Sequence, residues 1–290
     1  MAATRALRPV TDDEVETFWR DGVVCLRDIL PVDEVSAMAG PIDAMLAAEE
    51  AADLSAMADS LESGAGATRL ADAAVGADGT PRGRFLAGTD HWIHHPEFER
   101  FATQSALPEI VARLLRSEHV WLYEDSVLVK EPGTQERTGF HVDMAYFHLE
   151  GERVCTTWVP LDEVDASTGA VRFVLGSHLD HTDYRPNMFV SDMQLPGTEG
   201  ADVPDFEDVG DSRVVSFDTR PGDLTVHHAR TIHGAGGNAS ATRRRRAISV
   251  RYAGDDVVFR RRVGAPEKAH HAGLADGDAL VPPAFPIAFG

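Results

Sequence analysis

Residues 138–148, TGFHVDMAYFH, set two histidines and an aspartate inside a short, largely apolar run. Read as a β-strand over 139–147, the run sends alternate side chains to opposite faces. His141 and Asp143 then share a face, and His148 has the opposite parity. An imidazole and a carboxylate so placed can bind one metal ion together, yet they fill only two positions. Candidates for a third ligand lie in 221–238, PGDLTVHHARTIHGAGGN, at His227, His228 and His233. Only a fold that brings distant strands side by side can join that segment to Asp143, and a jelly roll does so. Two histidines and one carboxylate on one face of an octahedral ion leave three adjacent positions open, the arrangement of non-haem Fe(II) oxygenases.

The texture of the chain points to the same fold. After residue 119, short extended runs alternate with Gly, Pro, Asn or Asp: VWLYEDSVLVKEPG (120–133), RVCTTWVPLDEV (153–164), GAVRFVLGSH (169–178), DSRVVSFDT (211–219), GDLTVHHA (222–229) and RRAISVRYAG (245–254). Strands spaced this way predict an all-β sandwich or barrel, most simply a jelly roll. Before residue 119 the pattern is helical. TDDEVETFWR (11–20) starts with Thr11 as N-cap, and GVVCLRDIL (22–30) reads as a strand. From Val32 to about Asp59, Val35, Met38, Ile42 and Met45 recur three or four apart, which predicts a helix. Residues 60–83 read as a loop or weak helix, and 95–117 as a helix interrupted at Pro108. The expected organisation is one domain over 1–290: a mainly helical layer (1–118), a jelly-roll core (119–260) and a tail (261–290). The Pro-, Gly- and acid-rich segment 185–212 is a long insertion, either a solvated loop or a lid.

Composition narrows the function classes. A net charge of −20 over 290 residues argues against a nucleic-acid-binding protein. The run RRRR (243–246) is then better read as a strand start with one inward arginine. Only Lys130 and Lys268 are lysines, a bias expected of a GC-rich bacterial genome. Cys25 and Cys155 cannot build a disulfide framework and read as reduced thiols. No apolar run is long enough to cross a membrane, and MAATRALRPVTDDEVETFW has no apolar signal core, so a cytoplasmic monomer or homodimer is expected.

Three segments in order, FHVDMAYF, VCTTWVPLDEVDASTGAVRFVLGSH and GDLTVHHARTIHGAGGNASATRRRRAISVRY, make the chain over roughly 120–255 resemble the phytanoyl-CoA dioxygenase family. These are Fe(II)- and 2-oxoglutarate-dependent oxygenases with a double-stranded β-helix core. The resemblance implies a mainly β fold with flanking helices and a cupin-like jelly roll. It implies Fe(II) on His141, Asp143 and His233, with O2 as oxidant. It also implies 2-oxoglutarate anchored by Arg245, with Arg244 and Arg246 as register alternatives, because a planar guanidinium pairs bidentately with a carboxylate. Trp158 and Ser126 match positions near the cosubstrate. Two positions depart from the family: Ala235 stands where serine is common, and His227 where phenylalanine is usual.

The reaction so implied couples decarboxylation of 2-oxoglutarate to oxidation of a small molecule, and the Arg-rich, Lys-poor composition of a GC-rich bacterium points to a small metabolite or natural-product intermediate. An intact Asp143 favours hydroxylation over halogenation, with desaturation, cyclisation or demethylation as alternatives. A non-catalytic jelly-roll binding protein is the reading from another class. Tyr146 and His148 are the nearest candidates for substrate contact, His148 otherwise lying at the surface. His228 belongs in a catalytic role near the metal, behind it or in the framework, His178 in the framework, and His94, His95, His270 and His271 in solvent.

Overall fold

Alternation along the strand Arg245–Ala253 shows how the chain is layered. Ile248, Val250 and Tyr252 on one face join a core with Phe18, Val35, Ile42, Ile110 and Leu114 from the N-terminal helices. Arg245, Ser249 and Arg251 on the other face line an internal cavity. The apolar face carries the packing energy, roughly 1.5–3 kcal/mol for each large side chain removed from water. The polar face is left free for chemistry.

The computed structural model describes residues 4–63, 82–206 and 212–290. Its large antiparallel sheet runs Val23–Leu26, Leu224–His228, Val154–Pro160, Arg245–Ala253, Val120–Lys130, Phe85–Thr89 and Ala52–Asp53, with Ile287–Phe289 added beside Val120–Lys130. A smaller sheet, Thr138–His141, His233–Ala235, Val171–Val174 and Val214–Ser216, supplies the second layer. The fold is the mainly β double-stranded β-helix expected, with helices on the outer face of the large sheet. No helix among the described residues is long and apolar enough to cross a membrane.

Several elements differ from the sequence reading in instructive ways. The first helix, Asp12–Asp21, has Thr11 as N-cap in a reciprocal capping box with Glu14. The helix expected from Val32 to Asp59 is three: Val32–Ala37, Ala39–Ala47 and Leu54–Ser63, with the short strand Ala52–Asp53 between the last two. Gly40 and Pro41 fall in the first turn of the second piece, where a missing N–H does no harm but a continuous helix would have needed it. The rest of the 60–83 loop expectation falls mostly outside the described residues, as does the end of the acidic insertion at 207–211. The helix expected over 95–117 breaks into Pro96–Gln104 and Leu107–Leu115, with Pro108 in the first turn of the second.

One buried acid ties the sheet to its surroundings. Asp125, on the strand Val120–Lys130, accepts a bond from the Trp92 amide at 3.1 Å, and its carbonyl accepts from the Asp90 amide at 3.0 Å. Burial pushes its carboxyl from 3.8 up to about 7, against the pull of the Trp92 bond. A raised acid pKa means that the folded state holds the proton more tightly. The resulting stability is present below the unfolded value and lost as pH rises through about 7. Asp125→Asn keeps the acceptor for Trp92 and removes the charge. Its stability relative to the parent should climb between about pH 4 and 7 and level off above, by on the order of 1 kcal/mol per pH unit. Thermal unfolding at successive pH values measures this, and a pH-independent difference would contradict the assignment.

Candidate active site

His141 ends the strand Thr138–His141, and Val142 continues the extended backbone before the 3-10 turn Asp143–Ala145. The strand is therefore shorter than the 139–147 expected, yet it carries the HxD parity just far enough. His233 opens its own strand and pairs directly with His141 across the small sheet, with ring centroids 4.2 Å apart. His141 Nδ1 donates to the Gly139 carbonyl at 2.8 Å, and His233 Nδ1 donates to the Thr231 carbonyl at 2.9 Å. Those bonds fix both tautomers. Each Nε2 lone pair is then free, 3.6 and 3.8 Å from Asp143 Oδ1. The other carboxylate oxygen, Oδ2, accepts from the Thr156 hydroxyl and from His227 Nε2 at 3.2 Å.

This donor set fits a divalent cation. One atom from each of His141, Asp143 and His233 lies within 4.8 Å of the other two, and the residues are 2%, 4% and 7% exposed. Three lone-pair donors so aimed repel one another unless a cation sits between them. Burial raises the Asp143 carboxyl, but the neighbouring His233 and His141 rings and the bond from His227 outweigh it and hold it well below the usual carboxylate range. Burial, then His141 and His227, push His233 well below its ordinary value. A charged carboxylate and a neutral imidazole are the protonation states that a metal ligand needs.

Beyond the triad lies a narrow chamber closed by Arg245. Of the four consecutive arginines, Arg243 pairs with Asp165, Arg244 with Asp43, and Arg246 with Asp162 and Asp43. Arg245 is buried and has no carboxylate partner among the described residues. Its guanidinium lies 5.6 Å from the Trp158 ring centre, and both its Nε and Trp158 Nε1 are buried donors without a bonded acceptor. Burial pushes its pKa down to about 10, so it stays charged at neutral pH. Thr138, Val171, Gly234 and Ala235 complete the walls. Such a chamber suits a small dianion with one end at the cation and a carboxylate at the arginine.

On the opposite side of the triad a wider cavity of about 470 Å³ opens. Leu54, Ala87, Leu128, Tyr146, Phe147 and Phe189 give it an apolar body. One wall is charged: Lys268 Nζ lies 2.6 Å from Asp90 Oδ2 and 2.5 Å from Glu124 Oε2, and Arg251 reaches Glu124 Oε1 at 3.3 Å. His141, Asp143, Leu128, Phe189 and Arg251 border both spaces, so the triad stands at their junction.

The other candidate residues fall in varied places. Ser126 faces the wider cavity rather than the arginine chamber, and its hydroxyl is taken by Arg251. Tyr146 lines the wider cavity with its hydroxyl donating to Asn187 at 2.7 Å. His148 is neither a surface nor a cavity residue. It is fully buried, donates to the Pro266 carbonyl at 3.1 Å and accepts from the Arg262 amide at 3.0 Å, so it clamps the tail to the core. His228 donates to the Glu152 carbonyl at 2.7 Å, and His178 to that of Trp19 at 3.0 Å, both as framework. His271, expected in solvent, is buried among Tyr123, Phe259 and Phe285. His95 is half-buried against Glu50.

Sequence reasoning missed Thr156, Phe189, Glu124, Arg251 and Lys268. Thr156 shares the parity of Trp158, and Arg251 that of Arg245, so strand alternation could have found both. Phe189, in the insertion, packs its ring 5.1 Å from that of His141. Nothing in its neighbourhood signals this. His227→Phe would leave Asp143 Oδ2 with the Thr156 hydroxyl alone. The expected result is a loss of Fe(II) affinity of roughly 10-fold, read by anaerobic titration of metal-free protein. Unchanged affinity would remove His227 from the site.

Comparison with known proteins agrees with this architecture. The phytanoyl-CoA dioxygenase family matches the chain over residues 18–247. A probable alpha-ketoglutarate-dependent hypophosphite dioxygenase of Stutzerimonas stutzeri is 28% identical over 156 residues, 51% of this chain and 51% of that protein. The match thus spans about half the length of that relative. The solved structure of the non-heme alpha ketoglutarate dependent carbocyclase SnoK from nogalamycin biosynthesis superposes with a TM-score of 0.68 at 22% identity, covering 99% of this chain and 100% of that one. The epimerase SnoN, in complex with Fe3+, alpha ketoglutarate and nogalamycin RO, gives 0.67 at 23% identity, covering 96% and 98%. These likenesses establish the fold, and with the match over 18–247 the chain belongs to the phytanoyl-CoA dioxygenase family, iron- and 2-oxoglutarate-dependent oxygenases built on the double-stranded β-helix.

Proposed function

We propose that the protein, acting as one oxygenase unit, is an Fe(II)- and 2-oxoglutarate-dependent dioxygenase that hydroxylates an unactivated C–H bond of a small metabolite, in natural-product biosynthesis. The observation that carries this reading is the junction itself: a buried His141–Asp143–His233 donor set with a carboxylate-free buried arginine at the end of the chamber behind it. His141, His233 and Asp143 Oδ1 would hold the iron, and Arg245 with Trp158 would receive the far carboxylate of 2-oxoglutarate. Iron and 2-oxoglutarate, when bound, supply the oxidising chemistry, with O2 as oxidant and succinate and CO2 as by-products.

The chain's own part is placement and exclusion. Thr156 and His227 hold one oxygen of Asp143, so the other oxygen would be the one offered to the iron. Phe189 and Leu128 wall the junction against water. No protein nucleophile or general base is required. Ring formation and epimerisation, the reactions named for SnoK and SnoN, are the second reading of the outcome.

The wider cavity narrows the substrate class. Asp90, Glu124 and Glu267 face Arg251 and Lys268 there, and each of those cations is already bridged to a carboxylate. Among the described residues, a phosphate-bearing ester finds no free cation in that wall. Asp90 Oδ1 is buried with no bonded partner among the described residues, so the acidic side of this wall is not saturated. The substrate is therefore read as a largely apolar small molecule carrying hydroxyl or ammonium donors, not a CoA thioester.

Succinate release from 2-oxoglutarate with Fe(II) tests this against a varied compound panel. Hydroxylated or aminated apolar compounds should stimulate it and CoA thioesters should not. The reverse pattern would overturn the substrate reading. Asp143→Ala should abolish succinate formation, and full turnover in that variant would sink the ligand assignment. Arg245→Leu should raise the KM for 2-oxoglutarate about 30-fold or more, roughly 2 kcal/mol for a buried charge pair, with Fe(II) affinity retained. An unchanged KM would move the anchor elsewhere.

A further inference from the structure

We propose that Glu50, His91 and His95 form a second divalent-cation site, of the kind that takes Zn2+, at the rim of the wider cavity. One ligand atom from each lies within 4.8 Å of the other two. Asp90, with a positive φ of 60°, starts a tight turn in which the amides of His94 and His95 both donate to the His91 carbonyl, at 3.0 and 2.9 Å. The turn stacks His91 and His95 on one side, i and i+4, with ring centroids 6.2 Å apart. Asp125 holds this turn to the large sheet through the Asp90 and Trp92 amides, so the two imidazoles are fixed before any ion arrives.

Glu50 approaches from the segment before Ala52–Asp53 and sets Oε2 2.5 Å from His95 Nε2. An ordinary ion pair would account for that contact but not for His91. His91 is 5% exposed, and its Nε2 is buried against Gly88 without a hydrogen bond of ordinary geometry, the backbone there only partly offsetting the cost of burial. Gly88 makes room for this ring: a Cβ there would stand 2.6 Å from His91 Nε2. Burial, then His95, push His91 below its ordinary pKa, which keeps it a neutral donor. Two imidazoles and one carboxylate with a fourth position open to water make a tetrahedral zinc set. Glu50, Gly88 and Asp90 line the wider cavity, so an ion here would cross-link its rim.

The site is independent of the oxygenase reading, and metal counting separates the two. Metal-stripped protein is titrated with Zn2+ by calorimetry, and bound zinc is measured by elemental analysis after dialysis. The parent should bind two equivalents. His141→Ala/His233→Ala and His91→Ala/His95→Ala should each bind one. Glu50→Gln, at an exposed residue that cannot disturb the core, should weaken the second equivalent about 10-fold. With Co2+ as probe, the intense visible absorption of four-coordinate cobalt should survive in His141→Ala/His233→Ala and vanish in His91→Ala/His95→Ala. Two equivalents in His91→Ala/His95→Ala, unchanged affinity in Glu50→Gln, or a single equivalent in the parent that His141→Ala/His233→Ala removes, would each overturn the site.

Discussion

The pairing of His233 directly opposite His141 in the small sheet is the contact on which the rest of the site depends. Antiparallel backbone pairing sets the two Cα atoms about 5 Å apart, and a carbonyl two residues back turns each ring inward. Asp143 then needs only one further extended residue to bring its carboxylate alongside. A slip of one residue in this register would send His141 and His233 to opposite faces. Small-sheet pairing therefore sets the metal-binding geometry, while the large sheet contributes what surrounds it: Thr156, Trp158, His227 and Arg245. The cation position falls between layers, and neither sheet contains it alone.

Electrostatics explains why such a gap points to ligands. A carboxylate and a guanidinium are both buried here, which costs several kcal/mol per ion unless each is compensated. The chain compensates neither fully. Asp143 meets imidazoles and a hydroxyl, and Arg245 meets an aromatic face. One end lacks a positive charge and the other a negative one. A divalent cation and a dicarboxylate complete both deficits together, as the family's iron and 2-oxoglutarate would.

Much of this was legible in the sequence because strand alternation is strict. His141 and Asp143 follow from parity on a recognisable strand, whereas Arg245, Trp158 and the choice of His233 among three histidines come from the family resemblance. Where alternation ends, legibility ends. The acid–base cluster of Asp90, Glu124 and Lys268 comes from three remote segments with no spacing in common. His148 and His271 looked solvent-bound because the tail that buries them carries no strong periodicity. The helix expected over 32–59 failed at Gly40 and Pro41, a local backbone rule that the apolar spacing outvoted. Ser126, taken from the family resemblance, lines the wider cavity, and its depth along the strand is something parity alone does not report.

The two spaces beside the triad are built on different kinds of backbone. The arginine chamber is walled mainly by paired strands, where a changed residue disturbs neighbours on both sides. Part of the wider cavity is made by segments outside the strands, at Glu50, Asp90, Tyr146, Phe147, Phe189 and residues 266–268, which are held at fewer points. Replacements there meet a gentler energetic slope, and their effects stay local. The same scaffold can therefore be re-cut for a new guest molecule while its reactive centre stays as it is, a modularity that comes directly from where the sheets stop.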